Sequence, residues 1–124
     1  MARTQPEMAE LKRVHRLMSR IYGLLLDSAW RLRYADLTND RRLRERLGLE
    51  DTDCVGFCDD EEQILYVDHH EDVIATIVHE CLHAVLPEAE EEEIMALEEL
   101  VMRHMSPTQA RRLHLIAGEA LARR

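Results

Sequence analysis

Apolar residues return every three or four positions from Glu7 to about Asp27: Met8, Leu11, Val14, Met18, Ile21, Tyr22 and Leu25. That spacing predicts one face of an amphipathic helix. Residues 1–6 ahead of it read as a frayed tail. Trp30, Leu32 and Tyr34 then alternate with Arg31, Arg33 and Ala35, the period of a half-buried strand. Asn39 or Asp40 is placed to cap a short helix through Leu47, which Gly48 stops. Cys54 to Cys58 and Gln63 to Val67 predict two short strands. The acidic turn Asp59-Asp60-Glu61-Glu62 joins them as a hairpin.

The helical period then resumes. Asp68, with Glu71 three residues on, has the form of a capping box. Val73, Ile74, Ile77, Val78, Cys81, Leu82 and Val85 follow, so the segment is apolar almost all round. A helix of that kind is usually buried, and Pro87 ends it by disfavouring helical geometry at Leu86. Another helix is expected from about Glu88 to Met105, with Ile94, Leu97, Leu100 and Val101 on one side. Its acidic first turn suits the positive end of the helix dipole. Ser106-Pro107-Thr108-Gln109 gives a capping Ser, a Pro at the first helical position and a Gln three on. The last helix turns Leu113, Ile116, Ala117, Ala120 and Leu121 inward. The order α-β-(α)-β-β-α-α-α predicts an α+β fold, and 124 residues leave room for one domain, 1–124.

Composition narrows the function. Aromatics are only 4%, so aliphatic side chains and Met must fill the core. A net charge of -9 argues against general nucleic-acid binding, which needs basic surface to neutralise phosphates. It is equally unsuited to an anionic membrane surface. The charge is uneven: residues 31–46 are rich in Arg, and 88–93 are nearly all Glu. No run of eighteen or more apolar residues is present to span a membrane, and no secretory leader is expected. Three cysteines, Cys54, Cys58 and Cys81, give no disulfide framework. A reducing cytoplasm is the simplest home.

His79-Glu80-Cys81-Leu82-His83 has the HExxH pattern. Residues i and i+4 share a helix face, so both imidazoles can reach one zinc ion. Glu80, displaced around the helix, can act on the metal's water ligand as general base and later protonate the leaving amine. The bland alternative is a core helix holding a His–Glu hydrogen bond and no metal. Two His and one Glu are costly to bury in an apolar helix unless something pairs with them, and that favours the metal.

A catalytic zinc usually has three protein ligands. A metzincin-like third His would fall six residues after His83, but position 89 is Ala. His104 is a candidate by distance, yet it lies near a helix end. The remaining source is the Glu run on the following helix. With Ile94, Leu97 and Val101 inward, the position one turn earlier is Glu90 or Glu91. Glu91 is the first choice and Glu92 the second.

The segments ILYVD (64–68), TIVHECLHAVLP (76–87) and EEEIMALEEL (91–100) together resemble minimal gluzincin-type zinc peptidases. These include the stand-alone minigluzincins and the ImmA/IrrE-like protease domain. The resemblance covers roughly residues 52–105. It implies a small zincin-like fold: a short antiparallel sheet packed on the HExxH helix, a following Glu-bearing helix, and flanking N- and C-terminal helices. It implies His79, His83 and a Glu of 90–92 as zinc ligands, and Glu80 as base. It also implies that the edge strand near Cys54–Cys58 takes an extended peptide by β-addition.

Other residues carry weaker signals. Alternation places Cys54 and Cys58 on one face of a strand, packed inward, and Cys81 reads as a small core residue. His69 and His70 read as exposed helix-start residues. His15, His104 and His114 have no partner at ligand spacing. Asp72 and Glu98 are candidates to orient a ligand imidazole. Tyr66 is close in sequence to the site, but no donor for a developing oxyanion stands out. The expected function is peptide-bond hydrolysis on a peptide or protein substrate. The alternative class is a non-catalytic zinc-binding module for regulation or interaction. Four helices with apolar faces are many for so small a chain, so a homodimer burying part of one fits.

Overall fold

A computed structural model describes residues 3–50, 54–68 and 72–123. Among these residues five helices and a three-stranded sheet follow in the order α1 (Gln5–Leu26), β1 (Arg31–Ala35), α2 (Arg41–Leu47), β2 (Gly56–Asp59), β3 (Ile64–Asp68), α3 (Val73–Val85), α4 (Glu91–His104) and α5 (Pro107–Ala122). The architecture is α+β. Among the described residues no helix is long and apolar enough to cross a membrane.

The first helix starts inside the segment read as a frayed tail. The Thr4 side chain accepts from the Glu7 N–H at 3.2 Å, and Pro6 stands in the first turn, where its missing N–H loses nothing. Val14, Leu17, Met18, Ile21, Tyr22 and Leu25 form its buried face. Met8 is exposed, because the first turns of α1 run past the core.

The sheet has the order β1-β3-β2. The hairpin forms as expected: β2 pairs antiparallel with β3, Gly56 opposite Val67 and Asp59 opposite Ile64. The turn closes with Gln63 in the left-handed region, φ 56°. The sheet is not wholly antiparallel, however. β1 runs parallel to β3, Arg31 beside Ile64 through Ala35 beside Asp68. A parallel pair needs a long crossover. Here the chain between β1 and β3 provides it, carrying α2 and β2 on the way. Asp40 caps α2 through the Leu43 N–H, and Gly48 ends it in the left-handed conformation, φ 71°.

Alternation along β3 divides two apolar clusters. Leu65 and Val67 join Leu32 and the inward faces of α1, α3, α4 and α5 in the main core. Tyr66 packs on the other side with Leu37, Leu43 and Leu49, and Ile64 lies against that group. Tyr34 does not alternate inward: it is exposed, beyond the reach of either cluster. Cys54 and Cys58 also part company. Cys58 packs on the main core and Cys54 on the smaller cluster. The chain bends at Val55, ahead of the strand, so the alternation does not extend back to Cys54.

The cap of α3 is Asp72, whose Oδ1 accepts from the Ala75 N–H at 3.2 Å. Asp68 is instead the buried end of β3, where its Oδ2 accepts from the Leu37 N–H at 3.1 Å and the Thr38 hydroxyl at 3.4 Å. It pins the chain leaving β1. Glu71, His69 and His70 lie outside the described residues. Leu86 terminates α3 ahead of Pro87, and a tight turn from Leu86 to Ala89 delays α4 to Glu91 rather than Glu88. The expected capping box forms at Ser106 and Gln109.

Candidate metal centre

Helix α3 lies between the sheet and helices α1 and α4. Ile77, Val78, Cys81 and Leu82 bury its apolar surface. His79 and His83, one turn apart, emerge half-buried at its border with α4, with ring centroids 4.9 Å apart. The late start of α4 makes Glu91 its first residue, directly opposite the two rings. Glu91 Oε1 lies 2.8 Å from His79 Nε2, and Oε2 lies 2.7 Å from His83 Nε2.

One ligand atom from each of His79, His83 and Glu91 falls within 4.8 Å of the others, a set that could hold a metal ion. Two imidazoles and one carboxylate suit a divalent cation of borderline softness. A tetrahedral site with ligands at zinc distances needs adjacent donors about 3.3 Å apart. The two His–Glu91 separations must therefore open by roughly half an ångström, a small swing for a Glu91 side chain that is 58% exposed.

Glu98, one helical stretch along α4, completes the arrangement. Its Oε1 is 3.1 Å from His79 Nδ1. With the ring proton on Nδ1, His79 donates to Glu98 and turns the Nε2 lone pair toward the cluster. Carboxylates thus face both nitrogens of His79. A neutral imidazole can donate to only one of them, so the Nε2 side is met either by a second ring proton or by a cation.

Glu80 is 6% exposed; its side chain lies against Gly56 of β2 and within electrostatic reach of Glu91 and Glu98. Burial first, then the neighbouring carboxylates of Glu91 and Glu98, push its carboxyl up to about 8. Burial likewise raises the thiols of Cys58 and Cys81 well above their ordinary range. They are neutral thiols near pH 7, and the candidate metal-holding group among the described residues is His79, His83 and Glu91 without them.

A cleft of about 1090 Å³ opens over this region. His79, Glu80, His83, Glu91 and Glu98 line it, and the segment Val55–Cys58 forms part of its wall. β2 is an edge strand, and among the described residues its outer side carries no strand partner.

The remaining sequence candidates lie elsewhere or act otherwise. Glu90 and Glu92 are exposed and stand outside the cluster. His104 Nε2 pairs with Glu10 Oε2 at 2.8 Å, joining α4 to α1. The Asp72 carboxylate is used as a helix cap. Tyr66 is buried in the smaller cluster.

One residue escaped the sequence reading altogether. Gly56 presses directly on Thr76 and Glu80. Its signal was available: a glycine inside a short strand often marks a close backbone approach.

No protein-family model, curated protein or solved structure matches this chain.

Proposed function

We propose that this chain is a zinc-dependent metallopeptidase-like hydrolase acting on a peptide or protein substrate. The observation that carries the reading is the convergence of Glu91 on both Nε2 atoms of the HExxH pair, at 2.8 and 2.7 Å. Zinc supplies Lewis acidity: it polarises a carbonyl and makes water acidic enough to lose a proton near neutral pH. His79, His83 and Glu91 are the residues that would hold it.

The protein's own groups do the rest. Glu98 fixes the tautomer and direction of His79. Glu80 takes a proton from the attacking water at a carboxylate oxygen and returns it to the leaving amine nitrogen. Burial, then the Glu91 and Glu98 charges, raise this carboxyl; a divalent cation held by the cluster would offset those charges and favour the carboxylate that a base requires. The cleft holds an extended peptide across the site, with β2 as the strand it pairs with.

Metal analysis of the purified protein, with denatured casein as substrate, tests this reading. About one zinc per chain is expected from the three-ligand logic, lost in both His79→Ala and His83→Ala. Glu91→Ala should weaken zinc more than Glu88→Ala or Glu93→Ala. Glu80→Gln should keep zinc and lose hydrolysis. Zinc retained in both His variants would refute the site. Zinc bound by a wild type that leaves casein intact would make the chain a zinc-binding module instead.

A further inference from the structure

Gly56 is the first residue of β2, and it faces α3. A Cβ built at this position would lie 2.6 Å from Glu80 Oε2, 2.9 Å from Glu80 Cγ and 2.7 Å from Thr76 Cγ2. A Cβ does not approach non-bonded heavy atoms that closely. Backbone conformation does not explain the glycine, since Gly48 is the glycine with positive φ among the described residues. What position 56 needs is space. The space is specific, too: a Cβ at Gly23 or Gly118 would meet nothing within 4 Å.

We infer that Gly56 is a positioning residue for Glu80, its bare Cα forming the wall against which the Glu80 side chain is held in line with the His79–His83–Glu91 cluster. Several observations agree. Glu80 is one of the few buried charged side chains among the described residues. Thr76 sits one turn before Glu80 on α3, and its hydroxyl donates to the Asp72 carbonyl at 2.8 Å, which turns its methyl to the strand. The hairpin fixes the other side, with Gly56 in register opposite Val67 and the Val55 carbonyl accepting from the Asp68 N–H at 2.8 Å. Strand and helix are thus both anchored. A methyl group at 56 can be accommodated only by moving the Glu80 side chain, Thr76 or the strand itself.

The alignment part of this inference rests on the zinc reading; the packing part does not. A stability cycle therefore comes first. Gly56→Ala should lower Tm by about 4–10 °C, the size expected of an overpacked site in a domain of this length. In a Glu80→Ala background, and separately in Thr76→Ser, the same change should cost at most about half as much. Thr76→Ser removes the obstructing methyl and keeps the hydroxyl. An equal loss in all three backgrounds, or no loss in the wild type, overturns the inference. Neither measurement needs zinc or hydrolysis, so failure here is distinct from failure of the function.

Alignment is read with acetohydroxamate on the zinc-loaded protein. This chelator gives up a proton on binding, and Glu80 is the neighbouring acceptor. Gly56→Ala should weaken its binding about tenfold with zinc stoichiometry unchanged, and should add little to Glu80→Gln. Full affinity in Gly56→Ala, or a loss additive with Glu80→Gln, would show Gly56 to be packing alone.

Discussion

His79 illustrates how much one ring nitrogen decides. Its Nδ1 meets Glu98 at 3.1 Å, so its Nε2 is left to face Glu91 and His83. Glu98→Gln removes the acceptor charge while keeping the size of the side chain. Zinc affinity should fall about 10–100-fold, the usual consequence of losing such a partner. Competition with a fluorescent chelator would measure it, and unchanged affinity would remove Glu98 from the site. Glu80 carries a second consequence at the same scale. In the metal-free protein its carboxyl sits near 8, above its ordinary 4.5. The folded state therefore keeps a proton that the unfolded chain has released. The stability this group adds is complete below the ordinary value, declines across the interval and is gone above the folded one. Metal-free wild type should lose up to about 1.4 kcal/mol per pH unit relative to Glu80→Gln between those limits. Urea titrations of the two proteins, buffered from about pH 5 to pH 9, would read the difference. Parallel curves over the whole range would refute it.

At the scale of elements, caps and glycines set the boundaries on which the site depends. Asp72 begins α3, and so fixes which turn presents His79. Asp72→Ala should cost about 1 kcal/mol, the usual value of a lost N-cap. The glycines divide by what surrounds them. Gly118 lies inside α5 with open space about its Cα. Gly118→Ala should therefore stabilise the protein by about 0.5–1 kcal/mol, because alanine loses less backbone freedom in a helix. Urea midpoints check both changes. A Gly118→Ala variant less stable than wild type would contradict the described packing of α5. The element-level expectations also show where sequence periodicity runs out. The apolar spacing of α1, α3, α4 and α5 was strong enough to identify all four helices. The start of α3 was misplaced because Asp68 and Asp72 are both competent caps by residue type. Burial chose between them: Asp68 is 1% exposed and turned toward Leu37 and Thr38, which leaves Asp72 to hold the helix.

The whole molecule joins these parts through one main core that reaches from α1 to α5 and under one face of the sheet. The inward faces of α1, α3, α4 and α5 meet in that core, while Leu26, Met95 and Leu115 stay exposed. The candidate centre straddles the junction of α3 and α4, two ligands on one helix and the third on the other. A cation held there would tie the two helices together in the folded state alone. Free zinc at about a hundredfold over its dissociation constant should thus add about 2.7 kcal/mol of stability. The gain should disappear on chelation and be absent in His83→Ala. Thermal melts with and without chelator test it, and a Tm indifferent to zinc would contradict a site shared between the helices.

Local features were legible in the order of amino acids. The i, i+4 spacing put His79 and His83 on one face, the 3.6-residue period of Ile94, Leu97 and Val101 pointed to Glu90 or Glu91, and the Ser106 box marked the start of α5. These follow from geometry within a few turns of chain. The three-dimensional packing of distant segments set the remainder. It paired β1 parallel to β3, turned Cys54 away from Cys58, placed Glu98 behind His79 and brought Gly56 against Glu80. Each of those depends on segments far apart in the chain, whose meeting is set by how the helices and sheet share one core, and local periodicity carries no record of that.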